Sequence, residues 1–173
     1  MHDALARRQD AATLWSVRPS TAADVIAAAC DCLTAGMDGL NLRILAGISP
    51  TKGGESDELR RWLADTLAEL SLTYYPEGTR EGQEEALRIM ARRLLAQTIT
   101  PPDLTSWAYQ FITWDGTPLA EELIGLAIAY DILDSGYEGH EDSGSTREDV
   151  GASVIAEARR LIGGAAIPSE PTP

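Results

Sequence analysis

The chain has 173 residues, of which 44% are apolar and 24% charged, and its formal net charge is −13. This composition is typical of a globular domain rather than a disordered chain, and its length is enough for a substantial core. The excess of acids excludes a broad nucleic-acid-binding face, and no apolar run approaches the roughly 18–20 residues that span a bilayer.

Arg7, Arg8, Asp10 and Arg18 interrupt the first twenty residues, so this segment cannot serve as the core of a signal peptide. We therefore expect a cytoplasmic protein with no membrane partner. Basic residues are 13 Arg and the single Lys52, a usage typical of a GC-rich bacterial genome.

Apolar residues recur at helical spacing along the whole chain, and no segment alternates with period two. The pattern predicts an all-α fold, a single-domain bundle of six or seven helices. Residues 1–20 form an N-terminal segment with a possible short helix over Asp3–Trp15, residues 21–163 the bundle, and residues 164–173 a loose tail. Helices are expected over about 21–34, 40–46, 56–70, 81–97, 101–114, 119–133 and 146–162.

Capping residues mark several of these helix starts: Ser20 or Thr21, Ser56, Thr100, and Ser145 or Thr146. The helix over 119–133 is apolar nearly all round, which predicts a buried central helix. Trp107, Phe111 and Trp114 share one helical stripe and are expected in the core, the alternative being an aromatic stacking platform. Cys30 and Cys32 point to opposite helix faces and cannot form a disulfide, so at least one should fill the core.

In the segment Leu42–Leu63, a short helix, a turn and a second helix are spaced as in a helix-turn-helix motif. Its second helix, however, begins with Glu55, Asp57 and Glu58, and DNA binding requires several basic contacts to phosphate. An ordinary helical hairpin is the better interpretation, and no nucleic-acid partner is expected.

From Leu94 to Thr146 the chain runs 53 residues without a Lys or Arg and carries nine acids. Such a one-signed stretch attracts basic partners. At its end lie six hard or imidazole ligands: Asp131, Asp134, Glu138, His140, Glu141 and Asp142. Their spacing fits neither an EF-hand nor a di-iron bundle, so a solvated acidic loop is preferred to a weak cation site. Asp131 and Asp134 nevertheless lie at the helix end that the macrodipole makes unfavourable for anions.

The tripeptide Tyr74-Tyr75-Pro76 follows a helix that carries Glu55, Asp57 and Glu58. This arrangement resembles the small acidic immunity proteins that neutralise colicin-type nucleases. The resemblance implies that Tyr74 and Tyr75 anchor a toxin, with Glu55, Asp57 and Glu58 setting specificity, although Ser71 stands where that family has an acid. The alternative is a tyrosine pair that packs the turn between two helices.

A second likeness covers more of the chain. Leu33-Thr34-Ala35-Gly36 through Leu45-Ala46-Gly47, together with Leu67-Ala68-Glu69-Leu70, is similar to small uncharacterised helical proteins of actinobacteria. That likeness implies an all-α fold and supplies no activity.

We expect a non-catalytic module that binds a basic protein partner, in its concrete form an immunity or inhibitor protein for a nuclease-like toxin. Tyr74 and Tyr75, with Trp62, would supply the buried anchor, and no cofactor is expected. The alternatives are a helical structural protein that forms homo-oligomers, and last a metal-dependent enzyme at the 131–142 loop. With His2 and His140 as the only histidines, nucleophilic catalysis has few candidate residues.

Overall fold

Helices account for nearly all the regular structure of the chain. The computed structural model describes residues 2–18, 21–49, 54–135 and 146–164. Within these ranges there are eight α-helices and no strand: α1 His2–Val17, α2 Ala22–Thr34, α3 Leu40–Ala46, α4 Glu55–Glu69, α5 Arg80–Leu95, α6 Pro101–Phe111, α7 Glu121–Ser135 and α8 Arg147–Gly163. A short 3-10 helix, Pro118–Ala120, precedes α7. The all-α prediction is confirmed, with more helices than the six or seven expected.

Two predicted helix starts are confirmed in atomic detail. The hydroxyls of Thr100 and Thr146 accept hydrogen bonds from the backbone N–H groups of Asp103 and Asp149, whose carboxylates accept the reciprocal bonds. These capping boxes lower the pKa values of both carboxyls. The prediction for α4 was wrong, because Gly54 rather than Ser56 occupies the capping position.

The chain divides into two compact units, Met1–Ala86 and Leu87–Pro173. In the first unit α1 packs on α2, α2 packs on α3 and α4, and α3 packs on α4. Trp15, Cys32 and Leu42 lie fully inside its core. In the second unit α6, α7 and α8 each contact the other two. None of the described helices is long and apolar enough to cross a membrane. The core position of Cys32 agrees with the prediction, whereas Cys30 is exposed.

An arginine is buried in the core of the first unit. The Arg8 side chain is inaccessible to solvent, and its Nη1 donates a hydrogen bond of 2.6 Å to the carbonyl of Val25. Nε and Nη2 have no hydrogen-bond partner within the described part of the chain. Desolvation lowers the pKa of this guanidinium to about 10. Burial therefore costs Arg8 much of its hydration and returns one hydrogen bond.

A residue with positive φ follows the end of four helices: Gly36, Ser71, Gln97 and Thr113 have φ values of 84°, 56°, 60° and 61°. At the first three, the backbone N–H of the following residue reaches the carbonyl five positions back, as from Thr98 to Arg93 at 3.0 Å. This is the Schellman arrangement, in which glycine is the preferred residue at the left-handed position. After α2 that residue is Gly36, and the other two ends use side-chain-bearing residues.

Two core predictions in the second unit need correction. Trp114 lies beyond the end of α6 and is 57% exposed, whereas Trp107 on the same stripe is buried. α6 ends at Phe111, so the stripe does not continue to Trp114. In α7, Leu123, Ile124, Ala127 and Tyr130 are buried, but Ile128, Ile132 and Leu133 are exposed. In the part of the chain that the structure describes, only one side of α7 is covered, so the helix is not buried all round.

We predict that Gln97→Gly stabilises the protein. Glycine adopts the left-handed conformation without the steric cost that a Cβ imposes, so the free energy of unfolding should rise by about 0.5–1 kcal/mol. Thermal or urea unfolding measures the change. Ala96→Gly is the matched control, since Ala96 precedes the left-handed position and should lose stability. Equal shifts in the two variants would contradict this explanation.

We also predict that Arg8→Met is neutral or stabilising. Methionine fills a similar volume without a desolvated charge, and such exchanges stabilise proteins by up to about 1–4 kcal/mol. Its neighbour Arg7, which forms an exposed ion pair of 3.1 Å with Asp31, gives the control Arg7→Met. That change should stay within about 0.5 kcal/mol. Urea unfolding compares the two, and a large loss in Arg8→Met alone would show that the buried guanidinium stabilises the core.

Candidate functional site

The segment between α4 and α5 is held against α1 by a pair of hydrogen bonds. The Gln9 amide donates from Nε2 to the carbonyl of Thr73 at 2.9 Å and accepts at Oε1 from the Thr73 N–H at 2.8 Å. One side chain thus satisfies both backbone groups of a loop residue, as a neighbouring strand would. The loop is therefore held in place at Thr73, immediately before Tyr74.

The other end of this loop is also attached. The backbone N–H of Gly78 donates to the carbonyl of Ser16 at 3.2 Å. Further on, a Cβ built on Gly82 would lie 3.1 Å from the Cβ of Tyr75 and 3.0 Å from Ser16 Oγ. Because side chains rarely approach so closely, glycine at position 82 allows Tyr75 to lie against the first turn of α5.

Arg60 connects α4 to the same loop. Its guanidinium donates to both carboxylate oxygens of Glu77, at 2.7 and 3.1 Å, and to Asp57 Oδ1 at 2.8 Å. The bidentate hydrogen bond with Glu77 raises the pKa of Arg60. The guanidinium carbon also lies 5.9 Å from the centre of the Trp15 ring. One side chain therefore links α1, α4 and the loop.

The contacts of Arg60 relate three residues of this part of the chain: Asp57 and Glu77 share its guanidinium, and Tyr74 lies three residues before Glu77. Three residues of chain span at most about 10 Å, so the backbone of Tyr74 lies within that distance of Glu77. We call Asp57, Tyr74 and Glu77 the Tyr74 surface; Glu58 lies in the first turn of α4, about 200° around the helix axis from Arg60. These residues and Glu58 are all exposed, with Tyr74 at 36% of its maximal accessibility.

The predicted binding residues differ in accessibility. Tyr75 and Glu55 are half-buried, so Tyr74 is the more accessible of the two tyrosines. Trp62 is also half-buried, and the Arg61 guanidinium carbon lies 5.0 Å from its ring centre. The position of Tyr75 agrees with the alternative in which a tyrosine packs the turn. Sequence reasoning missed Gln9, Arg60 and Glu77, because the contacts that make them important join distant parts of the chain.

The surface carries a net negative charge. The first turns of α4 and the following loop contain four acids, Glu55, Asp57, Glu58 and Glu77, and two bases, Arg60 and Arg61. Arg60 already pairs with Asp57 and Glu77, so Glu58 is left as an exposed carboxylate with no ion pair among the described residues. A local potential of this sign attracts cations and basic side chains and repels phosphate.

The acidic end of α7 is compensated by the start of α8. Arg147 donates to the carboxylate of Asp134, and its guanidinium carbon lies 5.1 Å from the ring centre of Tyr130. Burial raises the pKa of Tyr130, while the charge of Arg147 acts in the opposite direction. The unfavourable position of Asp134 at the helix C-terminus therefore has an electrostatic partner that the sequence pattern did not show.

The predicted cation ligands are placed only in part. Asp131 and Asp134 are exposed on the last turns of α7, and Glu138, His140, Glu141 and Asp142 lie outside the described residues. Within residues 2–18, 21–49, 54–135 and 146–164, no group of three or more potential metal ligands comes together. The cation site stays a sequence-based expectation.

Comparisons with protein-family models, with curated proteins and with solved structures found no match to this chain. Its function is therefore inferred from its own residues. The two likenesses noted in the sequence are resemblances of short segments and do not assign the chain to a family.

We predict that Gln9→Met loosens the loop without unfolding α1. Methionine keeps the length and helix propensity of glutamine but leaves the Thr73 N–H and carbonyl without their partner. Amide exchange at Thr73 should become about fivefold faster, since one hydrogen bond is worth about 1 kcal/mol and each 1.4 kcal/mol is tenfold. Gln110→Met, on the exposed side of α6, is the control, and equal protection of Thr73 in both variants would refute the role of Gln9.

Proposed function

We propose that the chain is a non-catalytic binding module whose Tyr74 surface binds a basic protein. The observation that supports this most directly is the link that Arg60 makes between Asp57 and Glu77. It joins a carboxylate of α4 to a carboxylate of the loop that carries the exposed ring of Tyr74. Binding loses less entropy when the contact residues are already fixed, and both ends of this loop are attached to helices.

The aromatic and the acidic side chains would contribute to binding in different ways. Tyr74 has a large apolar ring with a polar tip, and residues of this kind contribute most of the free energy at the centre of protein interfaces. Glu58 and Asp57 lie in the first turns of α4 and are exposed. They would attract Lys and Arg of the partner and speed its encounter, which affects the association rate more than the dissociation rate.

The concrete form of the proposal is an immunity or inhibitor protein for a basic, nuclease-like toxin. The Tyr74-Tyr75-Pro76 motif after an acidic helix supports it by resemblance, and the net charge of −13 supports it by complementarity. A nuclease that binds nucleic acid carries a basic surface around its active site, and an acidic protein competes for that surface. In this form the protein inhibits by occupying the partner's substrate-binding face.

We predict that Tyr74→Ala weakens binding to a basic nuclease domain of the colicin type by about 1–3 kcal/mol, because the truncated ring is an interface anchor. Tyr109→Ala is the control, since Tyr109 is a similarly exposed tyrosine on α6 in the other unit. Isothermal titration calorimetry gives both affinities. Inhibition of nuclease activity by the wild-type protein provides an independent readout.

The electrostatic part of the proposal needs its own measurement. Glu58→Gln should lower the association rate in stopped-flow mixing at low salt and leave the dissociation rate nearly unchanged. Raising the ionic strength should reduce the difference between variant and wild type, because salt screens exposed charges. Failure of the wild-type protein to bind at low ionic strength, or an affinity independent of salt, would overturn the proposal.

A further inference from the structure

The helix α7 has an apolar side that is exposed among the described residues of its unit. Gly125, Ile128 and Ile132 fall within about 60° of one another around the helix axis, given 3.6 residues per turn. All three are exposed, Ile132 at 48%. The opposite side, with Leu123, Ala127 and Tyr130, is buried. We call Gly125, Ile128 and Ile132 the α7 stripe.

This distribution departs from that of an ordinary surface helix, which carries polar residues on its solvent side. A β-branched side chain in a helix also loses rotamer freedom, so isoleucine gains nothing at an exposed helical position unless it is packed. A Cβ built on Gly125 would have no atom within 4 Å, so the stripe has open space at its N-terminal end. The stripe therefore has the properties of a contact surface.

The charges around the stripe restrict what can cover it. α7 carries Glu121 and Glu122 in its first turn and Asp131 and Asp134 near its end, and it contains no Lys or Arg. Glu121 lies in line with the stripe one turn before Gly125, and Asp131 borders it beside Ile128 and Ile132. An apolar stripe is thus flanked by exposed carboxylates along and beyond its length.

A second copy of the chain fits these charges poorly. A parallel pairing of two α7 helices would set each carboxylate beside its own equivalent. An antiparallel pairing would leave Glu121 and Asp131 without a cation, because neither helix contributes a base.

We propose that the α7 stripe binds a basic amphipathic helix of another protein. Apolar side chains of such a helix, spaced three and four residues apart, would pack between Ile128 and Ile132. Lys and Arg on its flanks would meet Glu121 and Asp131, as in other helix-in-groove complexes. The proposal does not depend on the Tyr74 surface, which belongs to the other unit.

The probe is a synthetic Leu/Lys peptide of about four helical turns, with its leucines on one face. A peptide of the same composition with the leucines scattered around the helix is the matched control. Fluorescence anisotropy measures both affinities. The amphipathic peptide should bind more tightly, and the double change Ile128→Gln with Ile132→Gln should weaken its binding about tenfold or more while leaving the scattered peptide unaffected.

Two control variants separate this effect from general charge attraction. Leu40→Gln removes an apolar side chain that is 70% exposed in the first unit, and it should leave peptide binding unchanged. Tyr74→Ala should also leave peptide binding unchanged. A negative result with the peptide would then count against the α7 stripe and not against binding at the Tyr74 surface. Circular dichroism verifies folding, and Glu121→Gln with Asp131→Asn tests the stripe without altering its apolar residues. This pair should reduce the salt dependence of amphipathic-peptide binding.

Three results would overturn the proposal. Equal affinity of the two peptides would show that charge alone attracts them. Unchanged binding in the isoleucine double variant would place the peptide elsewhere on the molecule. A homodimer seen in sedimentation that dissociates in the same double variant would identify a second copy of the chain as the occupant.

Discussion

The contacts of Arg60 determine the local structure on which the proposed binding surface depends. One guanidinium pairs with a carboxylate on its own helix, with a second in the following loop, and lies beside the Trp15 ring on α1. An isolated surface ion pair is worth little because both side chains must be immobilised. Here the planar fork contacts Glu77 through two nitrogens, and the loop is already restrained at Thr73 and Gly78. The pair therefore forms with less loss of side-chain entropy than an isolated one.

The same contacts decide which acids are available to a partner. Asp57 and Glu77 share one cation, whereas Glu58 has no such pair among the described residues. A single negative charge is a weak attractor in water, but the excess of acids across the chain adds to its potential. In the proposed complex, affinity would come mainly from Tyr74. The exposed charges would set the encounter rate and its dependence on salt.

Local signals were sufficient for the helices but not for the site. Thr100 with Asp103, and the glycine at 36, act through neighbours only a few residues away, and these positions could be assigned from sequence. Gln9 and Thr73 are 64 positions apart, and Arg60 and Glu77 are 17 apart, so no periodicity predicts their contact. For α7, the apolar composition predicted a helix buried nearly all round, and this was wrong because Ile128, Ile132 and Leu133 are exposed. It could not indicate how many sides have neighbours, because that depends on the number of helices packed around it.

The acidity of α7 has a consequence for the exposed stripe. An apolar patch on a protein surface normally promotes association between identical copies. Glu121 and Asp131, which lie beside the stripe, oppose such pairing, and the net charge of −13 adds repulsion between whole chains. The same carboxylates would favour a partner of opposite charge. On a neutral helix, such an exposed apolar stripe would promote aggregation. On the acidic α7, charge would favour apolar surfaces that carry bases and disfavour those that carry acids.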